Sequence, residues 1–116
     1  MMTHYEELTR FRRADGFDVI VDKTYEDMHP NMSFEADDVK EICDKIDRGI
    51  YDWFRLRVRV FFEGHEFGSA HLGGCCYEDA NETLKDGTAD DMIAEAVEEA
   101  RRAVGSLKER LALFAV

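Results

Sequence analysis

The chain has 116 residues, 45% of them apolar, which is enough to build one core and implies a single domain spanning 1–116. Its 26 acidic against 15 basic side chains leave a net charge of -11, which argues against a protein that grips a phosphate backbone and for a basic partner or plain solubility. No stretch approaches the roughly 18 apolar residues of a membrane span, and Met1 to Arg13 is too polar for a secretory signal, so the expected setting is cytoplasmic.

Taken in chain order, Thr3 to Arg13 reads as either a short helix or an extra strand. Phe17, Val19 and Val21 alternate with Asp18 and Asp22 as a half-buried strand should. His29-Pro30-Asn31 is a connector. Ser33 is the expected N-cap of a helix over about 34–48, where Val39, Ile42, Cys43 and Ile46 share one face and Gly49 stops the helix. From Trp53 to Phe62 the alternation is strongest. Leu56, Val58, Val60 and Phe62 point one way and Arg55, Arg57 and Arg59 the other. Glu63-Gly64-His65-Glu66 turns the chain into a return strand, Phe67 to about Leu72, that ends at Gly73-Gly74. The last helix begins at Thr88, whose spacing to Asp91 suits a capping box, and runs about 25 residues, roughly 37 Å. Met92, Ile93, Ala96, Val97, Ala100, Ala103, Val104, Leu107, Leu111 and Phe114 share its apolar face, with Gly105 off that stripe at a candidate bend. The expected fold class is α+β: about three antiparallel strands with two helices packed on one face, in the order β-α-β-β-α.

The charge is unevenly spread. Residues 78–100 carry nine acids against Lys85 alone, a net -8, whereas 101–116 carry a net +3. Asp18 and Asp22 are placed to pair across strands with Arg55, Arg57 and Arg59, so the sheet should neutralise itself. In the last helix Asp91, Glu95 and Glu98 recur at i, i+4 and i+7, opposite the apolar stripe. Two readings fit. One is a solvated face with the acidic bias favoured at a helix N-terminus. The other is a decoy for nucleic-acid phosphates, in which Glu78, Asp79, Glu82, Asp86, Asp90, Asp91, Glu95, Glu98 and Glu99 bind a basic surface with strong salt dependence.

Chemistry is poorly represented. Three cysteines, Cys43, Cys75 and Cys76, make an odd count in a chain that needs no staples, so reduced thiols are expected. His65 and His71 stand six residues apart, about 20 Å if extended, and there is no Cys-x-x-Cys pair, so no metal site is expected. Cys75 and Cys76 read as packing residues, and the acids that follow them disfavour a reactive thiolate. Gly64, Gly68, Gly73 and Gly74 are explained by turns and a bulge, and Trp53 and Phe54 by packing. No phosphate-cradling loop, serine elbow or zinc-helix motif is present, so no catalytic residue, enzyme activity or cofactor is assigned.

Leu72-Gly73-Gly74-Cys75-Cys76-Tyr77-Glu78-Asp79, with Asp91-Met92 opening the last helix and Trp53 and Val58-Arg59-Val60 before it, resembles a group of small uncharacterised bacteriophage and prophage accessory proteins. The resemblance covers Trp53 to Ala103, and Cys76 stands where those proteins usually have a small polar residue. It implies an accessory inhibitor of the anti-CRISPR or anti-restriction kind, acting in the host cytoplasm on the basic nucleic-acid-binding surface of a defence complex, without binding nucleic acid or membrane itself. The alternative is a phage structural or interaction module that self-associates, its acid serving solubility. A metal-dependent hydrolase is a third reading, and monomer and homodimer both stay open.

Overall fold

The computed structural model describes residues 4–32 and 34–114. Four antiparallel strands form one sheet in the order β1-β2-β3-β4: β1 Glu6–Arg12, β2 Asp18–Tyr25, β3 Asp52–Phe62 and β4 His65–Tyr77. Helix α1, Ala36–Asp47, lies between β2 and β3, and helix α2, Thr88–Ala112, follows β4. Short 3-10 turns, Pro30–Met32 and Ala80–Leu84, precede the two helices.

Alternation builds the core. Val19 and Val21 of β2 and Phe54, Leu56, Val58 and Val60 of β3 are fully buried on one face, and Met92, Ala96, Val97 and Ala100 of α2 lie down on them. The approach of α2 is close at β4. A methyl group on Gly68 would stand 2.1 Å from the Ala96 carbonyl oxygen and 3.0 Å from the Ala100 nitrogen, so only glycine on the strand and alanines on the helix let them meet. At the sheet's turn end, Glu63 and Gly64 adopt φ of 50° and 79°, the left-handed pair that a two-residue hairpin requires. Gly49 closes α1: its N–H donates to Ile46 and that of Ile50 to Lys45, the paired bonds of a glycine helix stop.

Several expectations need correction. Of the two readings of the segment up to Arg13, the extra strand is the one that forms, Glu6–Arg12, so the sheet has four strands rather than about three, in the order β-β-α-β-β-α. A register shift between Glu7 and Thr9 hides it, because the bulged Leu8 breaks the period of two. Gly73-Gly74 does not end the return strand. The glycines sit in a second irregularity between Phe54↔Cys75 and Leu56↔Leu72, with Gly74 at φ 69°, and β4 continues to Tyr77. The two helices do not share a face. Trp53 points away from Phe54, and its far side is covered by Phe34, with ring centroids 6.0 Å apart, and by Met28, whose carbonyl accepts from the indole N–H at 2.8 Å. Cys43 and Ile46 of α1 line a cleft with Pro30 and Trp53, so α1 caps one end of the face opposite α2. Helix α1 starts at Ala36 and is preceded by Glu35, which makes no side-chain cap, while Ser33 lies outside the described residues.

Helix α2 has the expected length but not the expected entry or burial. Gly87, at φ 94°, occupies the cap position, so Thr88 is the first helical residue and the capping box with Asp91 does not form. The helix continues unbroken through Gly105. Beyond Val104 its apolar stripe has run off the sheet: Leu107, Leu111 and Phe114 are 42%, 57% and 86% exposed. The long helix contributes to an elongated body of 65 × 28 × 23 Å. Among the described residues no helix is long and apolar enough to cross a membrane.

The Gly68 contact predicts that Gly68→Ala lowers the free energy of unfolding in urea by about 1–3 kcal/mol, since backbone rather than a flexible side chain must yield. An unchanged midpoint would show that α2 does not sit this close.

Candidate partner-binding surface

The surface charge is decided by which acids the fold already uses. On the open face of the sheet Asp22 stands opposite Arg57 in register. Arg57 donates to both its oxygens, at 2.7 and 2.6 Å, and Arg59 donates at 3.1 Å. Asp22 is only 3% exposed, so this is a buried network rather than the solvent-exposed pairing the alternation suggests. The Arg57 guanidinium also stacks 3.4 Å from the Tyr5 ring, and its hydrogen bond to Asp22 raises its pKa. Asp18 departs from the expected scheme. It pairs with Arg12 of β1 at 2.8 Å, because its register partner on β3 is Phe61.

Glu26, which the sequence does not single out, partners the third arginine. It is 2% exposed, accepts from the N–H of Met28 and of Gly74 at 3.0 Å each, and lies 3.6 Å from Arg55. A side chain on Gly73 would meet this carboxylate at 2.8 Å, which ties the glycine pair to the acid. The signal was the continuation of the β2 alternation, Asp18, Asp22, Glu26, on the side facing three arginines. The arginines of β3 are thus internally neutralised, and the acids of β2 with them.

The nine acids from Glu78 to Glu99 behave differently, since all are exposed. Four carry local duties. Asp79 caps the 3-10 turn Ala80–Leu84 by accepting from the Asn81 N–H at 2.9 Å, which lowers its pKa. Asp86 accepts from the Tyr77 hydroxyl at 2.6 Å and from the Thr88 N–H at 2.9 Å, tying the end of β4 to the start of α2. Glu98 pairs with Arg102 at 3.2 Å, and Glu99 accepts from the Ser69 N–H at 3.3 Å. Glu78, Glu82, Asp90, Asp91 and Glu95 have no basic partner among the described residues. Asp90 and Asp91 occupy the first turn of α2, where the helix dipole favours them.

Neither Cys75 nor Cys76 sits in a setting that favours its thiolate. Cys75 is buried, and burial pushes its thiol pKa up; burial also raises that of Cys76, with Asp52 adding to it. All three cysteines are free thiols. Among the described residues no cluster of three His, Cys, Asp or Glu side chains has metal-binding geometry.

The Asp86 contacts generate a signed pH dependence. The Tyr77 hydroxyl and then the Thr88 N–H hold the Asp86 carboxyl below the ordinary aspartate range. Its contribution to stability is therefore complete above about pH 3.9 and is lost as pH falls through the folded value. The difference in urea midpoint between the native chain and Asp86→Asn should be present at about pH 6 and close toward about pH 2. A difference independent of pH would contradict the linkage.

In comparisons with protein-family models, curated proteins and solved structures, none matches the chain.

Proposed function

We propose that this chain is a phage-encoded inhibitor of a bacterial defence complex, anti-CRISPR-like in kind, that acts in the host cytoplasm as an acidic mimic of DNA. The acids from Glu78 to Glu99 occupy lysine and arginine sites that otherwise hold a phosphate backbone. One observation carries the reading: all nine are exposed and eight, all but Glu98, have no cation partner among the described residues, while the acids of β2 are paired with arginines. Asp91, Glu95 and Glu98 form a row with about one turn, 5.4 Å, between neighbours. A DNA strand spaces its charges about 3.4 Å apart along the axis, so one helix row is sparser. Glu78, Glu82 and Asp90 supply further charge beside it.

A self-associating module, with the acid serving solubility, is favoured by a different observation, the exposed apolar end of α2.

Competition separates the two. Purified protein should block target-DNA binding by a CRISPR effector or restriction complex, and the block should weaken steeply as salt rises. Reversing Asp91, Glu95 and Glu98 to lysine should abolish it, whereas reversing the exposed Asp37, Asp38 and Asp47 of α1 changes net charge equally and should leave it. Equal inhibition by both reversed proteins would overturn the mimicry.

A further inference from the structure

The apolar stripe of α2 does not stop where its sheet stops. Ala100 is fully buried, Ala103 and Val104 are half-buried, and Leu107, Leu111 and Phe114 continue the same face at 42%, 57% and 86% exposure. Spacings of four and three residues put these last three on one line, a continuous exposed apolar strip. The flanks of this overhang are net basic, with Lys108 and Arg110 on either side of Glu109. Arg101 and Arg102 are spoken for by Asp15 and Glu98, while Lys108 and Arg110 have no acidic partner among the described residues.

A matching surface lies at the other end of the molecule. Phe34, Ile42, Tyr51, Cys76 and Tyr77 line a cleft of about 390 Å³ between α1 and the end of β4, its surface about half apolar and half polar, with Glu78 and Glu82 supplying acid. That volume admits one or two large side chains. The Tyr77 hydroxyl lies 3.2 Å from that of Thr88, the first residue of α2, so the cleft sits beside the start of the helix whose far end overhangs about 37 Å away.

We propose that the end of α2 docks into this cleft of a second copy of the chain. Leu111 and Phe114 meet Phe34, Ile42 and the Tyr51 and Tyr77 rings, and Lys108 and Arg110 meet Glu78 and Glu82. Laid side by side in opposite directions, two copies bring each overhang to the other's cleft, so one two-fold axis satisfies both contacts and the assembly closes as a dimer. The charge distribution along α2 suits that direction, because its first half is acidic and its last part basic. The inference takes Glu78 and Glu82 out of the proposed acidic surface and leaves Asp90, Asp91, Glu95 and Glu98 free in the dimer, so its failure and that of the mimicry are read on different residues.

Light scattering on the isolated full chain tests it, with no defence complex present. The native protein should have twice the chain mass, and Leu111→Glu with Phe114→Glu should raise the dimer dissociation constant at least tenfold. Glu78→Lys with Glu82→Lys should do the same, and so should Lys108→Glu with Arg110→Glu. Combining the last two pairs should restore the dimer. All these positions are exposed, and unchanged circular dichroism would show that the variants fold. A monomeric native protein, an open polymer that grows with concentration, or a dimer indifferent to these variants would each overturn the pairing.

Discussion

The close approach of α2 to β4 at Gly68 governs the rest of the molecule. With no side chain on the strand and only Ala96 and Ala100 on the helix, backbone meets backbone and one line of contact is fixed. Three consequences follow from that line. Met92 and Val97 close the core over β3 and β4, Asp91, Glu95 and Glu98 turn to water, and the last turns of the helix pass beyond the sheet. The acidic row and the apolar overhang are both products of where a single helix is clamped.

Charge is partitioned by burial as much as by sequence. The acids of β2 are absorbed by arginines, Asp18 by Arg12 and Asp22 between Arg57 and Arg59, and Glu26 just after the strand lies beside Arg55. Removing one member of such a network would strand its partners, so these arginines are structural and are poor candidates for nucleic-acid contacts. Most of the excess that remains lies in the Ala80–Leu84 turn, its flanks and the first half of α2, with Asp37, Asp38 and Asp47 of α1 adding a smaller share. Even there Asp79 and Asp86 hold the backbone in place, so a carboxylate can serve the fold and still face solvent.

Much of this was legible in the residues. The alternations around Val19 and Val58, the Glu63-Gly64 turn, the stop at Gly49 and the length of α2 each depend on local chemistry, and local chemistry is what a sequence displays. The readings that failed depended on contacts between distant segments. The bulge at Leu8 masked β1, Glu26 converted Gly73-Gly74 from a strand end into a bend within β4, and Phe34 with Met28 drew Trp53 and α1 to the opposite face. In the candidate site, exposure of all nine acids agrees with their pattern on the chain. Their division into five free carboxylates and four with local partners does not follow from spacing, because Tyr77, Ser69 and Arg102 decide it. Nor does periodicity reveal where an apolar stripe outruns its sheet.

Carboxylate footprinting tests the central claim most directly: the free protein and its complex with a DNA-binding defence assembly are labelled and read by mass spectrometry. The account predicts that Asp90, Asp91 and Glu95 lose reactivity on complex formation, while Asp37, Asp38 and Asp47 of α1 keep theirs. Unchanged reactivity of Asp90, Asp91 and Glu95, with protection confined to α1, would contradict it.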